Sequence, residues 1–383
     1  MNWSFRIARV LGIDVKVHVT FFLILVLGAV QWGLPYGTTG AIFGVLLMIL
    51  LFACVILHEL GHSVVAQYFG VPVREIVLLP VGGVAILSRN ITKPIHELLV
   101  AAAGPAVNVV ISVVLGIVAL GSSLLNGGVD AWLLLLPGSN MAPSFTTLIQ
   151  WLLGANVLLV LFNLIPAFPL DGGRMLRAVL AIWIGFPRAT RIASAIGQLI
   201  AIGLGVVGVL TGNFVLVLVA VFIFFGAGQE NNVGQAQTVL ATLRVGDAYN
   251  KHALTLNIGD HVSKVVDYIL TSYQPDFAVM QGTNLLGIVT REDVLRALAS
   301  DTRDLYVTGI MRREFLKVNA DKTLDEVSQI MAEQNQRIAA VYQAEQYLGL
   351  VSIEDISEAL AVATFMQRQQ QLRQQGEAKA EGS

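Results

Sequence analysis

Six long apolar stretches in the first 228 residues limit what this chain can fold into. A membrane-spanning helix needs roughly 20 mostly apolar residues. Stretches close to that length lie at 19–35, 41–57, 98–120, 147–166, 193–211 and 214–228. The sequence therefore predicts a polytopic α-helical membrane protein with about six transmembrane helices.

Composition excludes an ordinary soluble or disulfide-stapled protein. Hydrophobic residues make up 55% of the chain and charged residues 13%, whereas soluble proteins carry about a quarter charged residues. Cys54 is the single cysteine, so no intramolecular disulfide can form. The charge is also unevenly distributed, with 10 Lys/Arg and 6 Asp/Glu up to residue 228 but 14 and 20 after it.

This change in charge density marks the main domain boundary. We predict a transmembrane domain at 1–228, a polar linker at 229–243, two similar segments at 244–300 and 301–363, and a polar tail at 364–383. The two similar segments, 244–300 and 301–363, repeat a pattern of an amphipathic helix followed by two short strands, which is typical of a small α/β domain.

The basic residues predict an orientation in the membrane. With six spans and a cytosolic N-terminus, the external loops are about 36–40, 121–146 and 211–213, and none contains Lys or Arg. The first 18 residues carry four charges and no small-residue cleavage site, so we expect no cleavable signal peptide. We expect a multi-pass protein of a prokaryotic cell membrane with both termini in the cytosol.

A metal-ligand pattern continues the second apolar stretch. His58 and His62 are four residues apart and share one helical face, so both imidazoles can reach one ion. Two neutral nitrogens and an oxygen suit Zn²⁺ with an open position for water, and Glu59 can accept the proton of that water. The alternative is a polar helix end at the membrane surface, which would leave three costly residues without a common reason.

Two acidic residues compete to be the third ligand. Asp171 follows a fourth span that Pro166 and Pro169 break, and broken helices at membrane depth line cavities. Glu97 is the competitor, because some soluble zinc proteases use a downstream helical Glu. The alternative interpretation of Asp171 is a plain turn aspartate at the membrane edge.

Two further segments carry polar or turn-forming residues near these spans. Asn108 lies inside the third span, where it could contact a substrate backbone or only a neighbouring helix. Residues 73–88 alternate around Gly82 and Gly83 and predict a β-hairpin, whose edge could pair with an extended peptide or serve as a connection only.

Taken together, these motifs resemble those of the site-2 protease family of intramembrane zinc metalloproteases (peptidase M50 type). The resemblance covers most of 10–230 and rests on His58-Glu59-x-x-His62, Gly82-Gly83, Gly104-Pro105-x-x-Asn108 and Asn163-x-x-Pro166-x-x-Pro169-Leu170-Asp171-Gly172. It implies one zinc ion per chain held by His58, His62 and Asp171, with Glu59 as the catalytic base. It also implies that Asn108 and Asn163 contact the substrate or its oxyanion.

The two C-terminal segments resemble a pair of CBS domains, which often bind adenine nucleotides. By that resemblance Asp293 and Asp355 would face a ribose, with Thr290 and Ser352 near phosphate. Each Thr/Ser-x-x-Asp is equally explained as a helix cap. Because CBS modules often associate, a homodimer through these domains is a further expectation.

We therefore expect a membrane protease that cleaves transmembrane or membrane-associated proteins, with adenine nucleotide such as ATP modulating it through the CBS pair. Its partners are then the lipid bilayer and a membrane-spanning protein substrate, and we expect no nucleic-acid partner. The alternatives are a catalytically silent membrane scaffold and a CBS-regulated transporter. A transporter would show intramembrane charges or inverted repeats along a pathway, and the sequence has neither.

Overall fold

The computed structural model describes residues 3–80, 82–87, 91–125, 142–272, 274–300 and 304–381. The chain divides into two compact units, Met1–Gly234 and Gln235–Ser383. Most of the predicted external loop 121–146 lies outside the described residues.

The first unit is built mainly from long apolar helices with one small sheet. Its elements in order are β1 (Ser4–Val10), β2 (Ile13–His18), α1 (Phe21–Tyr68), β3 (Val73–Leu79), β4 (Gly82–Leu87), α2 (Pro94–Leu125), α3 (Phe145–Asn163), α4 (Asp171–Ile184), α5 (Phe186–Leu210) and α6 (Phe214–Leu240). Five of the described helices, α1, α2, α3, α5 and α6, are long and apolar enough to cross a membrane.

Helix α1 is two antiparallel arms joined at Gly37. A straight helix of its 48 residues would be about 72 Å long, more than twice the thickness of a bilayer core. Gly37 has φ 64° and ψ −148°, a conformation that glycine adopts readily and other residues rarely do. Pro35 lies two residues before it. The arms then pack so closely that a β-carbon on Gly44 would lie 2.0 Å from the carbonyl oxygen of Gly28. The predicted spans 19–35 and 41–57 correspond to these two arms.

The sheet has the strand order β1-β2-β3-β4. Strands β1 and β2 pair antiparallel, as do β3 and β4, while β2 and β3 pair in parallel from Asp14–Glu75 to Val17–Leu78. Because the arms of α1 return the chain to the side on which it started, strands before and after the helix can meet. The predicted hairpin at 73–88 is thus half of a larger sheet, and β4 is its edge strand.

Strands β1 and β2 are absent from the sequence-based prediction. Residues 4–10 and 13–18 form short, charged segments that precede a strong helical signal. They pair with each other, and β2 pairs in addition with β3 much later in the chain. The inward residues Ile13, Val15 and Val17 alternate with charged ones and are buried, which is the period of two expected for a strand with one covered face.

A loop between α3 and α4 replaces the end of the predicted fourth span. Helix α3 ends at Asn163, and residues 164–170, which include Pro166 and Pro169, do not form a regular helix. Helix α4 then starts at Asp171, because proline lacks a backbone N–H donor and is disfavoured in the interior of a helix. Helix α6 extends to Leu240 and so includes the first part of the predicted linker at 229–243.

The second unit consists of two similar halves. The first half contains α7 (Val245–Ala248), β5 (Thr255–Asn257), α8 (Val262–Ser272), β6 (Asp276–Gln281), β7 (Asn284–Thr290) and α9 (Arg291–Ser300); the second contains a short 3-10 helix (Val307–Gly309), β8 (Leu316–Asn319), α10 (Leu324–Glu333), β9 (Ile338–Gln343), β10 (Gln346–Ser352) and α11 (Ile353–Glu381). Each half has a three-stranded sheet with one parallel and one antiparallel pairing. Small residues from both sheets, Ala278 and Ala340 among them, share one buried cluster.

Candidate metal centre

The second arm of α1 carries the first two residues of the site. His58 and His62 lie one helical turn apart, and their Nε2 atoms are 3.1 Å from each other. Both imidazoles are largely buried, with side-chain exposures of 9% and 13%. Two buried imidazoles without a partner would be costly. The helix directs a ring nitrogen of each toward a common point, where both can be satisfied by one partner.

Asp171 completes the cluster from the start of α4. Its Oδ2 atom lies 3.2 Å from Nε2 of His58 and 3.3 Å from Nε2 of His62. The three ligand atoms therefore form a nearly equilateral triangle. Ligands placed about 2.0–2.1 Å from Zn²⁺ in a tetrahedron are about 3.3 Å apart, so the donor set and its spacing fit a zinc ion with a fourth position open.

Neighbouring groups orient the imidazoles. Nδ1 of His62 lies 2.7 Å from the carbonyl oxygen of Val100 on α2, which fixes the proton on Nδ1 and leaves Nε2 free for a metal. Gly104, one turn further along α2, faces the two ring nitrogens. In the sequence Gly104 stands out only as part of the Gly104-Pro105-x-x-Asn108 motif, and its role as the clearance that the cluster requires was not predicted.

Glu59 lies beside the cluster and against strand β4. Its carboxylate interacts electrostatically with both imidazoles and with Asp171. On its other side, a β-carbon on Gly83 would lie 2.5 Å from Cγ of Glu59. The edge strand of the sheet thus passes directly next to this carboxylate.

Glu97 is not part of the cluster. Among the described residues the group able to hold a metal consists of His58, His62 and Asp171. Glu97 instead accepts hydrogen bonds from the guanidinium of Arg177 on α4. The competing ligand that the sequence left open is therefore wrong, because an arginine already neutralises that carboxylate.

The remaining residues predicted to contact substrate are placed differently. Asn108 is fully buried one turn after Gly104, and neither of its side-chain polar atoms has a hydrogen-bond partner within the described part of the chain. Asn163 is the last residue of α3 and partly exposed. Gly82 begins β4 with φ 146°, which favours glycine at the turn.

In the second unit, the four residues predicted to bind nucleotide form helix caps. Oδ2 of Asp293 accepts hydrogen bonds from the backbone N–H and hydroxyl of Thr290, and Asp355 accepts the same pair from Ser352. The two caps differ in one respect. Arg312 also donates to both oxygens of Asp293, at 2.9–3.1 Å.

Comparisons with known proteins identify the family. The model of peptidase family M50 matches residues 46–207, and that of the CBS domain matches 245–300 and 307–362. A zinc metalloprotease of Methanocaldococcus jannaschii is 33% identical over 362 residues, which cover 94% of this chain and 97% of that protein. The stage IV sporulation protein FB of Bacillus subtilis is 26% identical over 183 residues, covering 48% and 54%.

A solved structure is also similar. The site-2 protease from Methanocaldococcus jannaschii is 38% identical, with a TM-score of 0.42, and the match covers 60% of this chain and 95% of that one.

A buried His–His–Asp cluster in a unit of long apolar helices is typical of a membrane-embedded metalloprotease. This chain belongs to peptidase family M50, the site-2 protease family of zinc metalloproteases, and carries a CBS domain pair. The predicted family, the predicted metalloprotease and the multi-pass membrane architecture are confirmed. Family membership supports the protease over the transporter. The number of membrane crossings, the residue roles and the orientation stay predictions.

Proposed function

We propose that this protein cleaves transmembrane or membrane-associated proteins within the bilayer, with His58, His62 and Asp171 as zinc ligands and Glu59 as the general base. The observation that carries the proposal is the triangle of ligand atoms, 3.1–3.3 Å on each side. It lies within a unit whose helices are apolar enough to span a membrane. When bound, Zn²⁺ supplies a Lewis acid that lowers the pKa of water and polarises a carbonyl oxygen.

Glu59 moves the proton in this scheme. Its carboxylate accepts a proton from the attacking water and delivers it to the amine that leaves when the peptide bond breaks. Its position beside the imidazoles, and not among the ligand atoms, supports this role. Asn108 offers a buried amide that has no hydrogen-bond partner among the described residues, which suits a contact with the substrate carbonyl.

Strand β4 holds the substrate in an extended form. A transmembrane helix must unwind before its peptide bonds can be attacked, and the freed backbone groups need partners at membrane depth. The free edge of β4 supplies such partners by strand addition. Gly83 next to Glu59 then places the paired segment within reach of the base, and Asn163 contributes a further contact.

The decisive experiment compares Glu59→Gln with the wild type on a model transmembrane substrate. We expect the variant to keep stoichiometric zinc and lose cleavage by a factor of about 100 or more. Glu75→Gln, which alters the sheet pair between Glu75 and Lys16, is the matched control. Equal cleavage by wild type and Glu59→Gln would remove the proposed base, and zinc loss in that variant would reassign Glu59 as a ligand.

Adenine nucleotide modulates this activity through the CBS pair, with the second half as the binding half. The carboxylate of Asp355 accepts hydrogen bonds through Oδ2 within its helix cap, and in the described ranges no cation pairs with it. The carboxylate of Asp293, in contrast, is already paired with Arg312. A ribose hydroxyl needs a free carboxylate oxygen, which Asp355 offers and Asp293 does not.

Calorimetric titration of the full chain with ATP tests this regulation. We expect one site per chain, weakened at least tenfold by Asp355→Asn and unchanged by Asp293→Asn. Binding by Asp293 instead would reverse the assignment of halves. If saturating ATP bound nowhere and changed neither proteolysis nor thermal stability, nucleotide regulation would be refuted, while the protease assignment would stand.

A further inference from the structure

Arg177 joins three elements in the interior of the first unit. Its guanidinium donates to Oε1 of Glu97 on α2 and, at 2.5 Å, to Oε1 of Glu230 on α6. Its guanidinium carbon also lies 5.1 Å from the centroid of the Phe168 ring, in the loop that precedes Asp171. The side chains of Arg177, Glu97 and Glu230 are only 18%, 6% and 28% exposed.

Such a group is expensive in a membrane protein and is retained for a reason. Burying a charge costs free energy unless the charge is paired and hydrogen-bonded, and a buried ionic network of this kind fixes the geometry of the elements that carry it. A fork-shaped guanidinium fixes direction as well as distance, which a single ammonium does not. The three side chains thus determine how α4 sits against α2 and α6.

Each partner of Arg177 also leads to the metal centre. Glu97 lies one turn before Val100, whose carbonyl orients His62. Phe168 is fully buried and lies in the loop that delivers Asp171. The same loop is pressed against α6, where a β-carbon on Gly226 would lie 2.5 Å from Cδ of Pro169.

We propose that Arg177 is a positioning residue for the metal centre, which sets the place of Asp171 relative to the two imidazoles by tying α4 and its preceding loop to α2 and α6. The inference rests on the proposed function in that Asp171 is taken as the third zinc ligand. Arg177 itself touches no ligand atom. Its effect is on the geometry in which zinc is held.

The test separates positioning from simple stability. Replacing Arg177 alone leaves two buried carboxylates unpaired and destabilises the fold whatever its role. The informative variant is therefore Arg177→Met with Glu97→Met and Glu230→Met, which removes all three charges together. Apolar replacement of a complete buried ion network is often neutral for stability.

We expect the triple variant to unfold near the wild-type temperature but to bind Zn²⁺ about 10–100-fold more weakly in chelator competition, as loss of outer partners does. On a model transmembrane substrate, kcat should fall while KM stays within twofold. Arg188→Met, which alters an exposed arginine on α5, should match the wild type in all three measurements.

Arg177→Lys keeps the test decisive if the triple variant misfolds. A lysine retains the charge but cannot contact both carboxylates as a fork, so zinc affinity should fall about tenfold at an unchanged unfolding temperature. Wild-type zinc affinity and kcat in either folded variant would overturn the proposal. Asp171→Asn tests the ligand assignment separately from the positioning role of Arg177. Retention of zinc by that variant would refute the assignment of Asp171 as a ligand.

Discussion

Gly104 lies directly against the imidazole of His62: a β-carbon at Gly104 would be 2.2 Å from Nε2 of His62, and 2.7 Å from Nε2 of His58. Both nitrogens are the atoms that face Asp171.

Gly104→Ala should strongly weaken zinc binding and proteolysis. The added methyl group would occupy the space of the ring nitrogens, so one imidazole must rotate away from the ligand triangle. We expect zinc affinity to fall about 100-fold or more, as measured by chelator competition. Overpacking would also cost about 1–3 kcal/mol of stability.

The same helix offers the control. A β-carbon on Gly116 would meet open space, so Gly116→Ala should retain zinc and activity. Zinc content near that of the wild type in Gly104→Ala would show that the ligand atoms are not where the structure has them.

Gly83→Ala should separate chemistry from metal binding. The added β-carbon would lie 2.5 Å from Cγ of Glu59, which is well below contact distance. Cγ lies close to the backbone of Glu59, so it has little freedom to move aside. We expect Glu59 or β4 to move by several tenths of an ångström or more, and kcat to fall about 10–100-fold, while zinc stays bound. Ile86→Ala, at an exposed position of the same strand, is the control, and unchanged kcat in Gly83→Ala would contradict the proposed role of Glu59.

Gly44→Ala should weaken the paired arms of α1. Small residues let transmembrane helices approach closely, and a β-carbon here would lie 2.0 Å from the Gly28 carbonyl oxygen. The expected loss of stability is about 1–3 kcal/mol, measured by thermal unfolding in detergent. Gly203→Ala on α5, which faces open space, should leave the unfolding temperature unchanged; a similar loss in both variants would refute the packing argument.

Asp276 makes the second unit less stable as the pH rises. Burial raises the pKa of Asp276 to about 6 from an ordinary value of 3.8, so the folded state holds its proton more tightly than the unfolded state. The stabilising contribution is complete below 3.8 and is lost as the pH rises through about 6.

Asp276→Asn should remove this loss. The amide oxygen can still accept the hydrogen bond from the Arg291 backbone, and the free energy of unfolding at pH 7 should rise by about 1–2 kcal/mol. Pulse proteolysis of the full chain at pH 4.5 and pH 7 would measure the difference. A gain of equal size at both values would contradict the titration argument, and Asp321→Asn, at an exposed carboxylate, controls for a general charge effect.

The features that could be predicted from the sequence are those that local patterns determine. The His58–His62 spacing, the proline-broken segment before Asp171 and the repeat after residue 244 each carry their signal within a few residues. Metal chemistry restricts ligand types and spacings strongly, and hydropathy restricts spanning segments. These features appear in the structure where the sequence places them.

Contacts between distant segments were harder to predict. Strands β1 and β2 were missed because they are short and charged, and because β3, the second partner of β2, follows a 48-residue helix. Glu97 stayed a rival ligand because nothing local reveals that Arg177 reaches it across two helices. The clearance at Gly104 was likewise invisible, since it depends on which face of α2 meets the imidazoles.

The turn at Gly37 has a consequence for how the protein is assembled during synthesis. Strand β2 emerges early but finds its neighbour β3 only after both arms of α1 have been made. The sheet can thus close only when the arm bearing His58 and His62 has already been threaded back to the side of the first strands. A second arm that failed to fold back would leave β2 without its parallel neighbour β3 and the sheet incomplete.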